Sequence, residues 1–317
     1  MCAMDGLLVI DKPAGITSHD VVAGARRILK ERRIGHTGTL DPFATGVLLV
    51  LVGKATRLAQ FLSASDKEYE AIIRLGYATD TGDRTGTPIL TPQGAADPTR
   101  PVKLARWSEE QIETALASLR GWIDQVPPMY SAKKVGGKKL YELARRGEEV
   151  TREPVQVCIH ELAAIRPNGE LMKDNLDGTF DFHVRVVCSS GTYVRVLAED
   201  FGKRLSVGAH LAELRRTRVG DFSVLSAVTL EQLKTGFGEE AIGTILLRPS
   251  AALSRLPFVH LSGDDVRRAR HGMEVKVGET AWSDGEKVKM CDDKDHLIAI
   301  GDYDAMTKRL HPSVVLA

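Results

Sequence analysis

The alternation of apolar and polar positions divides the chain into a long first part and a short last one. A short apolar run over Gly6–Ile10 reads as a strand. Thr17 or Ser18 can cap a helix whose Val21, Val22, Ala25, Ile28 and Leu29 share one face. A glycine-rich turn follows from Gly35 to Gly46. Val47–Val52, six apolar residues in a row, is too short to span a membrane and reads as a buried strand. Lys67–Tyr77 partly alternates, with Tyr69, Ala71, Ile73 and Leu75 on one side, as a half-buried strand does. Residues 79–106, rich in Thr, Gly, Asp and Pro, read as a long polar loop. Ser108 and Gln111 form a capping box for a helix carrying Ile112, Ala115, Leu116 and Leu119 and ended by Gly121. Strands are expected over 153–166 and 179–190, with an exposed hairpin loop at Asn168–Asp177 and a helix from Thr192 to Leu205. Arg248-Pro249-Ser250 reads as a domain junction. A strand near 257–261, a helix near 264–271 and strand-like pieces to Val315 then suggest a small β-rich module. The pattern predicts an α+β protein with a mixed sheet in its large domain, divided into domains 1–250 and 251–317.

Composition adds limits. A length of 317 residues fits two domains, and 43% hydrophobic residues excludes wholesale disorder. With 43 Lys and Arg against 42 Asp and Glu, the net charge is +1, which argues against a uniformly basic, nucleic-acid-coating protein. The charge is segregated, however. Arg26–Arg33 and Gly202–Gly220 each carry five basic residues against one acidic, and Lys133–Arg146 carries six against one. Each window alone reads equally as a solvated helix face; together they point toward RNA.

The four cysteines, Cys2, Cys158, Cys188 and Cys291, form no C-x-x-C pair and read as reduced cytosolic thiols. The charged N-terminal stretch does not read as a signal peptide. Gly53-Lys54 is followed by Ala55 where a P-loop needs Ser or Thr, and His160-Glu161 lacks the second histidine of a zinc-protease helix. Neither a G-x-G-x-x-G nor a G-x-S-x-G motif occurs.

The most informative segment is Gly35-His36-Thr37-Gly38-Thr39-Leu40-Asp41-Pro42-Phe43-Ala44-Thr45-Gly46. Its glycines allow tight turns and close approach by a ligand. Asp41-Pro42 reads as an N-cap followed by proline, which would set the carboxylate at a helix start, where amide donors favour its ionised form. On this pattern alone Asp41 reads as no more than a cap.

The segment resembles the catalytic motif of the TruB-type bacterial pseudouridine synthases that modify uridine 55 in the T loop of tRNA. Asp11-Lys12-Pro13-Ala14-Gly15, Lys67-Glu68-Tyr69-Glu70-Ala71, Pro127-Pro128-Met129-Tyr130-Ser131-Ala132 with Gly136-Gly137-Lys138, Ser190-Gly191-Thr192-Tyr193-Val194-Arg195 and Ala209–Arg216 resemble further motifs of that family, in its order, over residues 1–235. The tail more weakly resembles the small PUA-type RNA-binding module.

The resemblance implies a pseudouridine-synthase fold and a reaction that breaks the uracil N1–C1′ bond, turns the base and joins C5 to C1′. Nothing is oxidised and no water is added, so no cofactor and no metal is implied. Asp41 would be the essential aspartate, acting as nucleophile or as base. Arg195 would stand beside it and favour its ionised form. Tyr69 would stack on the flipped base, Tyr193 would line the site and assist proton transfer from C5, and Leu214 would form an apolar wall. His36 would order the flipped nucleotide at the mouth, and Lys12 would shape the cleft or touch a phosphate. Without the motifs, each has a plainer reading: Tyr69 and Leu214 as core, Tyr193 as a helix-start tyrosine, Arg195 as a surface arginine, His36 as a local hydrogen-bonding residue. The implied partner is the tRNA T-arm, met by a cytoplasmic monomer with no guide RNA and no membrane association. An RNA chaperone of the same fold, a guide-RNA-dependent enzyme and a small-molecule enzyme using the glycine turn for phosphate are the competing readings.

Overall fold

The computed structural model describes residues 4–89, 107–131, 133–144, 146–148, 150–236, 243 and 245–316. Its centre is a mixed sheet whose strands run in the order Gly6–Lys12, Thr45–Val52, Gly208–Val219, Lys67–Gly76, Phe180–Cys188, Val155–Ala164 and Gly121–Gln125. Neighbours are antiparallel except where Arg215 and Arg216 pair in parallel with Thr45 and Gly46. That parallel step lies at the start of the strand that follows Asp41.

Local signals account for much of this. Thr17 caps the Ser18–Leu29 helix in a full capping box with Asp20, and Ser108 does the same with Gln111 for Glu109–Ala117. Thr45–Val52 is buried almost throughout because both of its faces are covered. Lys67–Gly76 alternates as expected, burying Tyr69, Ala71, Ile73 and Leu75 in one core with the Val194–Arg204 helix.

Several expectations change. Gly35–Thr37, read as the start of a turn, belongs with Ile34 to a strand paired with Leu49–Val52. The start of the expected 79–106 loop is ordered: Ala78–Thr79 pairs with Pro88–Ile89 and Asp83 bridges to Leu211, while residues 90–106 lie outside the described residues. The longest described strand, Gly208–Val219, contains a family-like motif but carries no expectation of a strand. Its register shifts between Leu211 and Glu213 and between Arg216 and Arg218, so its side chains break the alternation that marks a strand.

The C-terminal residues form a separate five-stranded sheet, ordered Phe258–His260, Lys287–Cys291, Leu297–Asp304, Arg309–Val315 and Val275–Lys276, with the Gly263–Arg270 helix against it. The two sheets share a core. Leu7, Leu49, Leu51, Leu58 and Leu62 pack with Ala252, Leu253, Cys291, Leu297, Ile300 and Leu316. Asp221 accepts hydrogen bonds from Ser254 and Arg255 across the same junction. Among the described residues, no helix is long and apolar enough to cross a membrane.

The basic windows are used unequally. Arg26, Arg27, Lys30, Arg32 and Arg33 are exposed, as a phosphate-facing surface requires. In the 202–220 window, Lys203 and Arg204 are exposed, whereas Arg215 pairs with Asp11, Arg218 pairs with Glu68 and Arg216 is buried, so its second half serves the fold. The side chains of Lys134, Lys138 and Lys139 and residue Arg145 of the middle window lie outside the described residues.

Candidate active site

Between strands Ile34–Thr37 and Thr45–Val52 the chain makes a short loop, and Asp41 sits on it. The expected helix start is absent. The Ala44 N–H donates to the Asp41 carbonyl at 3.1 Å, closing a turn, because only Pro42, Phe43 and Ala44 separate Asp41 from the next strand. Asp41 therefore caps no helix of its own, and its counter-charge comes from elsewhere.

That counter-charge is Arg195, 4% exposed, in the first turn of the Val194–Arg204 helix. Its Nε lies 3.0 Å from Asp41 Oδ2 and its Nη2 3.4 Å from Oδ1, a two-point grip. The remaining donors are also engaged: Nη1 donates to the Thr81 carbonyl at 2.8 Å and Nη2 to the Tyr130 carbonyl at 2.7 Å. A second carboxylate, buried Asp83, stands 3.8 Å from Nη1 and is itself held by Thr81 and Thr85. Burial pushes the Asp41 pKa up, Arg195 pulls it down, and Asp83 pushes it up again; the net direction is upward.

The loop is fastened from three sides. Ser18 Oγ accepts from the Leu40 N–H and donates to the Leu40 carbonyl. Lys12 donates from Nζ to the carbonyls of Pro13, Ile16 and Pro42 at 2.8, 2.8 and 3.3 Å. Arg216 donates to the Gly38 carbonyl at 2.8 Å and the Val47 carbonyl at 2.7 Å, so one guanidinium brackets the loop at both ends. Two glycines make this possible. Gly38 has φ +67°, and Gly46 has φ +103° with Arg216 backbone so close that a Cβ would overlap its carbonyl oxygen.

Above Asp41 lies a cavity of about 280 Å³ lined by Tyr69, Tyr193, Leu214, Arg195, Arg216 and Lys67, among others. That is near the lower end of the roughly 300–1,000 Å³ typical of small-ligand pockets and suits one nucleobase. Tyr69 is buried, and burial pushes its phenol pKa up, so the ring is a neutral wall. Burial pushes Lys67 down to about 8.

The structure thus brings Asp41, Arg195, Tyr69, Tyr193 and Leu214 together around one cavity. His36 is not among its lining residues. It stands edge-on to His19, ring centroids 5.4 Å apart, and burial pushes its pKa down to about 4. Lys12 departs from the expected phosphate contact: it is fully buried and its ammonium is occupied by three carbonyls. Asp83, Arg216 and Gln125 contribute without having been singled out, since their partners lie far away in sequence.

Comparisons with known proteins give the family. The model of the TruB family pseudouridylate synthase N-terminal domain matches residues 26–194, and that of the tRNA pseudouridylate synthase B C-terminal domain matches 195–249. Curated relatives include tRNA pseudouridine synthase B of Symbiobacterium thermophilum, 47% identical over 86% of this chain and 84% of that protein. The protein of the same name from Solibacter usitatus is 40% identical over 99% of this chain and 100% of its own. Among solved structures, a Cbf5-Nop10-Gar1 complex contains a chain similar to this one with TM-score 0.71 and 27% identity, covering 98% of this chain and 85% of that one. The fold is accordingly the α+β pseudouridine-synthase fold, with a β-rich C-terminal module. With family models covering residues 26–249 and a relative matched along its whole length, the chain belongs to the TruB family of pseudouridylate synthases.

Proposed function

We propose that the chain isomerises uridine 55 in the T loop of tRNA to pseudouridine, alone and without guide RNA or cofactor. The observation that carries this reading is the two-point Arg195–Asp41 ion pair at the base of a nucleobase-sized cavity in a TruB-family chain. The target base leaves the T loop at a cost of a few kcal/mol and gains about 1–3 kcal/mol by stacking on Tyr69. The N1–C1′ bond breaks, the base turns within the cavity, C5 bonds to C1′, and the C5 proton leaves while N1 gains one. Asp41 acts in its ionised form, as nucleophile toward a ribose or base carbon or as base at the sugar. Arg195 orients it. Tyr193, beside the turning base, assists the C5 proton, and Leu214 bounds the base on its apolar side. His36 orders the nucleotide at the rim.

The exposed basic end of the Ser18–Leu29 helix and the module over 251–317 supply further RNA surface to a monomeric, cytoplasmic enzyme. Independence from guide RNA is favoured by the end-to-end match to proteins named tRNA pseudouridine synthase B, against lower identity to ribonucleoprotein chains.

The test is tritium release from uridine-labelled, unmodified tRNA transcript, with pseudouridines mapped afterwards. Wild-type protein alone is expected to modify position 55. Asp41→Asn is expected to bind the tRNA and modify nothing. Modification by Asp41→Asn would sink the mechanism, and a requirement for added guide RNA would overturn the stand-alone reading.

A further inference from the structure

Gln125 ends the Gly121–Gln125 strand at one edge of the central sheet and is 1% exposed. Its carboxamide is aimed at the backbone of a single residue. Oε1 accepts from the Tyr193 N–H at 2.9 Å, and Nε2 donates to the Tyr193 carbonyl at 3.3 Å. A strand offers its neighbour this kind of two-point pairing; here a side chain supplies it to a residue 68 positions away.

Tyr193 needs an external partner. It is the N-cap residue of the Val194–Arg204 helix, and its own side chain caps nothing. The orientation of that helix start decides where two site groups point: the Tyr193 ring, which lines the cavity, and the Arg195 guanidinium, which grips Asp41. The chain just beyond Gln125 makes a second attachment to the same place, since the Tyr130 carbonyl accepts from Arg195 Nη2 at 2.7 Å. One stretch, 125–130, therefore holds the helix start by its backbone at Tyr193 and by its side chain at Arg195.

We infer that Gln125 is a positioning residue of the reaction: its carboxamide fixes the Tyr193 backbone on both sides of its Cα and thereby sets the Tyr193 ring and the Arg195 guanidinium against Asp41. It is not a lining residue of the cavity and does not contact Asp41. The inference rests on the isomerase reading above, which wild-type pseudouridine formation in the same assay tests separately.

Misplacing reacting groups by about 1 Å costs on the order of 100-fold in rate. Gln125→Ala is therefore expected to lower single-turnover kcat roughly 10–100-fold, with the tRNA Kd within about twofold of wild type, because no RNA contact is removed. Gln125→Glu keeps the acceptor for the Tyr193 N–H and loses the donor to its carbonyl, so its kcat should fall between Gln125→Ala and wild type. Asp124→Asn, exposed on the same strand, is the control with unchanged kcat. Wild-type kcat in Gln125→Ala, or a loss of tRNA affinity that accounts for the whole rate change, overturns the inference. Should Gln125→Ala fail to fold, Gln125→Glu decides it: wild-type kcat there overturns the inference, and reduced kcat at unchanged Kd supports it.

Discussion

Arg195 meets Asp41 through both carboxylate oxygens while its other donors are held by the Thr81 and Tyr130 carbonyls. Asp41 is on a strand-to-strand loop and Arg195 on a helix, so the pair joins two elements 154 positions apart. A planar guanidinium engaged at four points has one orientation, and it imposes that orientation on the carboxylate.

Lysine keeps the positive charge and loses the fork. Arg195→Lys is expected to reduce single-turnover kcat about 100-fold while leaving the tRNA Kd within twofold. Tritium release and filter binding measure the two quantities. Equal losses in kcat and affinity would mean that Arg195 serves RNA binding instead.

The pKa of Asp41 predicts the acid limb of the pH profile. Burial raises it above the ordinary 3.8 despite Arg195, and the proposed mechanism uses the carboxylate form. Activity is therefore full well above the raised value and lost as pH falls through it, with the acid limb of kcat/KM centred above 3.8. Stability has the opposite sign. Between the two values the native state binds more protons than the unfolded one, so this group makes the fold less stable as pH rises through that window. An acid limb at or below 3.8 would contradict the burial argument.

Lys12 separates a fastening role from an RNA contact. Lys12→Met removes the charged donor shared by the Pro13, Ile16 and Pro42 carbonyls, leaving Pro42 only the Gly15 N–H, and a hydrogen bond to a charged group contributes about 1.5–3 kcal/mol. The fold is expected to lose at least ~2 kcal/mol in urea unfolding. The salt dependence of tRNA binding should be unchanged; a slope shallower by about one would restore the phosphate contact.

Gly46 tolerates no side chain. Gly46→Ala must hold φ +103° and place a Cβ against the Arg216 carbonyl, separating the parallel strands beside Asp41. Backbone strain of this kind costs about 1–3 kcal/mol before the overlap is counted. The expected outcome is a lowered melting temperature with little pseudouridine formed at 25 °C. A variant with wild-type melting and activity would show that the strands part easily.

These cases also show where the sequence is readable. The helices at 18–29 and 109–117 announce themselves because their capping boxes are local, three residues across. Thr45–Val52 is legible because a continuous apolar run has few uses other than a buried strand. Gly208–Val219 is not, since two register shifts scramble its alternation and its arginines look like a solvated surface until Asp11, Glu68 and the Gly38 carbonyl are seen opposite them. Asp41, Arg195, Tyr69, Tyr193 and Leu214 were reached through the family's motifs, and the cavity gathers them. Gln125 and Asp83 act on residues far along the chain, which no local pattern reports. Asp41-Pro42 carries the local marks of a helix start, and the nearness of the next strand overrides them.

The core shared by the two sheets has a consequence for substrate choice. Leu51 and Leu58 on one side and Leu297, Ile300 and Leu316 on the other are buried in common, so the C-terminal sheet has no free swing relative to Asp41. The molecule is a gauge of fixed span. On the proposed function, an RNA that seats a base in the cavity would meet the second sheet at one distance and one angle only. A rigid, correctly folded substrate satisfies both ends at once, whereas a floppy strand of the same sequence must first surrender its own freedom to do so.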